Sequence, residues 1–530
     1  MTACGGAEGG TRSLAITDTP QSVRRRHATH QGAPVQRSPA AFRPRARLVL
    51  ATTALLAATR AAAQPSTPSA PAADSAARAA ATDRVFAHLD QPGSPGCALA
   101  VYRDGRVAYA RGYGLANLEL GVPITPRTVF DIGSTSKQFT AMSILLLAQD
   151  GKLSLDDPVR KHVPELPDYG RPVTIRHLLH HTSGLRDYIE LLFLTGAQAE
   201  DFTTAADALD IIARQRALNF EPGSEWLYSN TGYFLMSVIV ERASGVPLPR
   251  FAEERIFRPL GMTSTHFHDD HTMVVAGRAT GYSPRAKGGF AIDMSDWEQI
   301  GDGAVFTTVE DLLKWDENFY TARVGGRALI DAMQRPGTLS GGKPLDYAAA
   351  LFIRPYRGLR TVSHGGAWAG YRAELLRFPD QHLSVACLCN LATARPSLLA
   401  QRVADVHLAG LLAGEPVGAN GGRSDGAGTP ATAPARLAPA RLAEYAGRYF
   451  AEELQSGITV AVDSGALVLR GKNWPREPLT PRGRDEFSVG DAFTLRFSRG
   501  GDGKVAGFAL DLGRIRDVKF VRQGEVRGTR

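Results

Sequence analysis

Apolar residues change their period several times along the chain, and each change marks an element. Cys97-Ala-Leu-Ala-Val-Tyr102 and Val107-Ala-Tyr-Ala110 flank the turn Arg103-Asp104-Gly105, the pattern of a β-hairpin. After Gly133, Phe139, Met142 and Leu146 recur at i, i+3 and i+7, while Ile144, Leu145 and Leu147 nearly close the circle. That predicts a helix buried on all sides and ended by Gly151. A long helical region follows, including Phe234 to Arg242. Strand character returns at Arg360 to Ser363, Tyr371 to Phe378 and Leu383 to Cys389, with a Pro379-Asp380 turn between the last two. Strands thus open and close one domain, with helices between them, and a helix from Leu398 to Leu412 ends it at Gly414.

Two stretches interrupt this order. Residues 64–82 are rich in Ala, Ser and Pro, and residues 414–440 carry Gly, Pro, Ala and Ser with almost no large apolar side chain. Both read as linkers. Beyond the second, Ile458 to Val462, Ala466 to Leu469, Phe493 to Phe497 and Lys504 to Leu510 are short strand-like runs, with Gly501-Asp502-Gly503 as a hairpin turn. Even spacing without a helix predicts a small all-β barrel over 441–530, folding separately and shaping access to a site in the domain at 83–413.

The 530 residues are 43% apolar and 22% charged, a globular balance that excludes wholesale disorder. No run of 18 apolar residues occurs, so no transmembrane span is expected. The net charge of +8 has an address: nine Arg and only two acids, Glu8 and Asp18, lie between Met1 and Ala63. The same stretch places Arg43, Arg45 and Arg47 before the apolar run Leu48 to Ala58 and the small residues Ala61-Ala62-Ala63. These are the n-region, h-region and cleavage site of a secretory signal, so 1–63 reads as leader and signal peptide. The mature protein is expected to be exported, periplasmic or secreted, and its near-neutral remainder gives no reason to expect a nucleic-acid partner. Outside the leader three cysteines remain: Cys97, Cys387 and Cys389. An odd number leaves at least one thiol unpaired, and all three read as small buried hydrophobes.

Three short elements carry candidate chemistry. Gly133-Ser134-Thr135-Ser136-Lys137 opens the buried helix and puts Lys137 one turn beyond Ser134 on the same face. A serine hydroxyl needs a group to take its proton, and a desolvated lysine can do so. The helix start offers free N–H groups to a developing oxyanion. Tyr228-Ser229-Asn230 precedes the helix at Phe234; the Tyr can relay a proton and the Asn can hold an acyl carbonyl. Ser363-His364-Gly365-Gly366-Ala367 ends a strand, where the glycines allow close approach and the Ala367 N–H can supply a second oxyanion donor.

In this order the three elements resemble the S-x-x-K, Y-x-N and H-x-G motifs of the serine β-lactamase and penicillin-binding-protein superfamily, in its class C β-lactamase-like branch. Leu178-Leu-His-His-Thr-Ser-Gly-Leu185, Pro259-Leu-Gly-Met262 and Gly301 to Leu312 also look like that family. The resemblance implies an α+β fold: an antiparallel sheet built from both chain ends, flanked by helices, plus an all-helical lobe. The appended barrel is similar to the lipocalin-like modules of D-aminopeptidase-type proteins. Ser134 would be the acylated nucleophile, with Lys137 or Tyr228 as its base. Asn230, His364, Gly365, Gly366 and Ala367 would bind substrate. No cofactor or metal is implied, and the partner is a small-molecule or peptide substrate; the oligomeric state stays open. His364-Gly365 stands where β-lactamases carry Lys-Thr, so neutral esters or amides are expected to be better substrates than carboxylate-bearing β-lactams.

Rival readings remain. The chain could be a β-lactamase or D,D-carboxypeptidase proper, or a non-catalytic penicillin-binding sensor. His266-Phe-His268-Asp269-Asp270-His271 fits H-x-H-x-D-H and could hold zinc in a metallo-hydrolase. Gly422-Arg-Ser-Asp-Gly426 matches G-x-S-x-G, but in a linker, with no strand and helix to shape a nucleophile elbow.

Overall fold

The computed structural model describes residues 70–414, 438–474, 476, 478–490 and 493–524. The expected leader and signal peptide, and nearly all of the expected linker at 414–440, lie outside them. Two strands near the start, β1 (Cys97–Arg103) and β2 (Arg106–Tyr113), join four from the end of the first domain: β3 (Phe352–Tyr356), β4 (Leu359–Trp368), β5 (Tyr371–Phe378) and β6 (Leu383–Cys389). They form one antiparallel sheet in the order β3-β4-β5-β6-β1-β2. Asp104 and Gly105, both at positive φ, make the two-residue turn between β1 and β2. Strand β1 reads as continuously apolar because both its faces are covered. Ala98, Ala100 and Tyr102 enter the main core, while Cys97, Leu99 and Val101 enter a second core on the other face.

That second core is closed by α1 (Ala70–Phe86) and the helix Pro396–His407. Residues 70–82 were expected to be linker and are helical instead. Alanine leaves few apolar landmarks yet is the strongest helix former. Phe86, in the last turn, stacks on Tyr113 with ring centroids 4.5 Å apart. On the opposite side, α2 (Lys137–Gln149) is buried from Lys137 to Leu147 and packs on α4 (Asn230–Ser244). Helix α3 (Tyr188–Thr195) belongs to the helical lobe. The architecture is therefore the expected α+β one.

The cysteines depart from expectation. The β1–β6 register sets Cys97 directly opposite Cys389, and the two form a disulfide; Cys387 is a free, buried thiol. The partners lie 292 residues apart, so only the register, not the spacing, brings them together.

The C-terminal unit is a closed antiparallel barrel of eight strands, a lipocalin-like fold: β7 (Gly447–Ala451), β8 (Ser456–Asp463), β9 (Ala466–Arg470), β10 (Pro478–Gly483), β11 (Glu486–Val489), β12 (Phe493–Arg499), β13 (Val505–Leu512) and β14 (Ile515–Arg522). Pairing of Tyr449 and Phe450 with Arg522 and Val521 closes it. Tyr449, Phe487, Phe497, Phe508 and Phe520 pack in its buried cluster, which runs on into the main core of the first domain. The docking is dense. The Arg186 guanidinium, buried at the interface, donates to Glu453 (2.7 Å) and to the carbonyls of Arg516 and Asp517 (both 3.0 Å). The Trp474 indole N–H donates to the Leu194 carbonyl at 3.0 Å.

Candidate active site

Residues Gly133–Ser136 form a single 3₁₀ turn that runs into α2, so Ser134 sits at the mouth of a helix and Lys137 at its first residue. Gly133 has φ +48°, and a Cβ there would meet the Ala367 nitrogen at 2.7 Å. A Cβ on Gly366 would meet the Ile132 carbonyl oxygen at 1.9 Å and the Ser134 nitrogen at 3.1 Å. The two glycines therefore let the 3₁₀ turn and the end of β4 touch backbone to backbone. The backbone nitrogens of Ser134 and Ala367 both lie at this contact.

Lys137 is fully buried beneath Ser134. Its Nζ lies 3.0 Å from Ser134 Oγ and 2.8 Å from Asn230 Oδ1, and it bonds to the Asp302 carbonyl. Nζ donates to all three oxygens, and once it is neutral one position is free to accept the serine proton. Burial pulls Lys137 down to about 7, and the nearby Arg514 charge adds to the fall; Asp302 and Asp187 oppose it. Burial also raises the Asp302 carboxyl, to which the Tyr188 hydroxyl donates. Asn230 is spent on positioning: its Nδ2 and its backbone N–H both donate to Asp187 Oδ2, at 2.9 and 2.7 Å. One amide N–H is left over for an acyl carbonyl.

Ser134, Tyr228, Asn230 and the His364–Ala367 strand end all line one cavity of about 760 Å³. A family model described as Beta-lactamase matches residues 81–408. The chain belongs to the β-lactamase family. Penicillin-binding protein 4* of Bacillus subtilis (strain 168) is 32% identical over 301 residues, 54% of this chain and 66% of that protein. A D-aminopeptidase of Gluconobacter oxydans (strain 621H) is 32% identical over 310 residues, 58% of each chain. The matches thus span about three-fifths to two-thirds of these relatives' own lengths. Among solved structures, the octameric penicillin-binding protein homologue from Pyrococcus abyssi superposes with a TM-score of 0.56 at 26% identity. It covers 86% of this chain and 99% of its own.

Within this β-lactamase-family site the Tyr228 ring lies 5.0 Å from Lys137 Nζ, centroid to atom. Its hydroxyl is buried without an aligned hydrogen bond; burial raises it, and proximity to Ser134 offsets only part of that rise. His364 differs from expectation. Its Nδ1 faces the Gly365 carbonyl at 2.6 Å and its Nε2 faces the Tyr347 hydroxyl at 3.1 Å. Tyr347 in turn meets His181 Nε2 at 3.1 Å, and His181 Nδ1 accepts the Ser229 N–H at 3.2 Å. One assignment of protons satisfies the whole chain: Ser229 N–H to His181, His181 to Tyr347, Tyr347 to His364, His364 to Gly365. Both rings are then neutral, and burial drives His364 down to about 3. With both nitrogens so engaged, the ring braces the Gly365–Ala367 strand end at the wall of the cavity.

The 266–271 cluster does not converge. His266–Phe267 pairs with Val305–Phe306, and His266 and His268 lie together at 3.3 Å. His271 points elsewhere, to Glu298 at 2.9 Å, where only Asp270 joins it among the described residues. No helix among the described residues is long and apolar enough to cross a membrane. Sequence reasoning missed Asp187, Asp302, Tyr347 and Arg514. Asp187 and Asp302 stood inside or beside the family-like stretches; Arg514 had no signal at all, because it arrives from the barrel.

Proposed function

We propose that the chain is an exported serine hydrolase that works through an acyl-serine intermediate on an ester, amide or D-amino-acid peptide. The observation that carries this reading is a buried lysine, pulled down to about 7, 3.0 Å from a serine hydroxyl at the wall of the main cavity. Neutral Lys137 takes the Ser134 proton as Oγ attacks the substrate carbonyl carbon. The Ser134 and Ala367 N–H groups hold the oxyanion. The intermediate collapses with cleavage of the C–O or C–N bond, and the leaving group takes a proton from Tyr228, which Lys137 replenishes. A water molecule then loses a proton to Lys137, attacks the acyl carbon and releases the acid, restoring the Ser134 hydroxyl. Braced Gly365–Ala367 backbone lines the substrate, and the spare Asn230 N–H faces it.

Fluorophosphonate or penicillin labelling followed by peptide mapping tests the assignment. The label should sit on Ser134, and Ser134→Ala should abolish labelling and nearly all turnover in a folded protein. A label on Ser136, Ser183 or Ser424 would overturn it, and a stoichiometric burst without steady turnover would make the protein a sensor.

A further inference from the structure

Arg514 stands in the turn between β13 and β14, at the rim of the barrel, yet it lines the same cavity as Ser134. Its backbone is pinned from both sides. The Arg514 N–H donates to Glu190 Oε2 at 2.7 Å, and its carbonyl accepts from Asn219 Nδ2 at 2.8 Å. The Asn219 side chain also accepts the Arg516 N–H at 2.8 Å. The turn is thus held in place without any help from the guanidinium.

That guanidinium makes no direct hydrogen bond to a described residue. Its nearest carboxylates are Asp187 at 3.6 Å and Glu190 at 3.9 Å. Asp187 has little to offer it, since its two oxygens already receive the N–H groups of Ile189 and Glu190 and two from Asn230. The Arg514 side chain keeps 40% of its surface exposed, with Cζ 4.8 Å from the Tyr228 ring centroid. A guanidinium held over an aromatic face at the wall of a cavity, with only these two long ion pairs on it, can still take a planar anion bidentately.

The location says which part of the substrate the anion belongs to. Tyr228 serves the leaving group in the mechanism above, and Arg514 is stacked on Tyr228. We infer that Arg514 anchors a free carboxylate on the leaving group, so that the enzyme releases carboxy-terminal residues or similar carboxylate-bearing groups. The inference rests on the proposed acyl-serine reading. It replaces the expectation, drawn from His364-Gly365, that the site lacks a fixed positive charge: the barrel supplies one. A substrate with an ammonium group at this position would meet Arg514 with like charge.

The test uses the full chain and two thioesters: benzoylglycyl-thioglycolate, whose leaving group carries a carboxylate, and its methyl ester, which is neutral. The wild-type enzyme should favour the carboxylate form in kcat/KM. Arg514→Gln keeps a planar group over Tyr228 and should lower kcat/KM for the carboxylate substrate by about ten- to hundredfold, the range for a hydrogen bond to a charged group. Measured on the alkaline plateau at about pH 9, where a shift of the Lys137 limb has little weight, the methyl ester should change by less than about threefold, and Arg514→Lys should restore part of the preference. Equal losses on both substrates would make Arg514 structural and overturn the anchor. A wild-type enzyme indifferent to the carboxylate would overturn it without any variant. In both cases Ser134 would still be acylated and the hydrolase reading would stand. Hydrolysis of either thioester without acylation of Ser134 would overturn both.

Discussion

The pH dependence of turnover is the most direct measure of what burial does to Lys137. An ordinary lysine titrates near 10.4, so at pH 8 only about 0.4% of it is the neutral base. With Lys137 pulled down to about 7, roughly nine-tenths is neutral at the same pH. Burial alone thus raises the population of competent base by about two hundredfold. The sign follows. Because the folded-state value is depressed, activity should be lost as pH falls through 7, with unit slope and about a tenfold drop from the plateau at pH 6. The apparent value belongs to the coupled Lys137–Asp302 pair, which share one buried site. Two variants move the limb in opposite directions. Arg514→Gln removes a cation that depresses Lys137 and should shift the limb to higher pH. Asp302→Asn removes an anion that sustains the ammonium and should shift it lower. Lys137→Met should cost about 10²–10⁴ in kcat/KM. The assay is kcat/KM for a chromogenic ester from pH 5 to 10. A profile that climbs steadily to pH 10, or is flat from 5 to 9, would refute the reasoning, as would a Lys137→Met enzyme within tenfold of wild type.

Three further outcomes are expected. Gly366→Ala puts a methyl group against the Ile132 carbonyl and should part β4 from the 3₁₀ turn, cutting kcat by about 10²–10³ while circular dichroism stays unchanged. Arg186→Ala removes the buried guanidinium from Glu453 Oε2 and two backbone carbonyls at the interface, and urea unfolding should show a loss of about 3–5 kcal/mol. Replacing Cys97 and Cys389 by alanine should lower stability by about 2–5 kcal/mol without touching the pH profile, and a larger effect on kcat than on Tm would contradict that separation.

The site was legible where its chemistry is local. Ser134 and Lys137 share one helical turn, Tyr228 and Asn230 share a helix start, and Gly365–Ala367 is a strand end, so short motifs hold them. The hairpin, the sheet strands β4 to β6 and the barrel strands β8, β9, β12 and β13 were legible as short strand-like runs between turn residues. What could not be read depends on register and docking. Cys97 meets Cys389 through strand pairing, not spacing. The contact of Tyr347 with His364 Nε2 joins residues from separate elements and left no mark on the sequence. Arg514 is one of many arginines until the barrel turn is docked on Glu190 and Asn219. Residues 70–82 were misread because composition was weighed above alanine's helix propensity.

The disulfide between β1 and β6 has a topological consequence. It closes the stretch from Cys97 to Cys389 into a covalent loop, and Ser134, Lys137, Tyr228, Asn230 and the His364–Ala367 strand end all lie on it. Helix α1 and the barrel hang outside as two tails. A single proteolytic nick anywhere on the loop opens the ring without freeing a fragment, so a cut molecule keeps its catalytic parts tethered and migrates as one chain until reduced. A nick between Gly414 and the barrel has no such covalent protection, and the docked interface alone would then keep Arg514 beside the nucleophile.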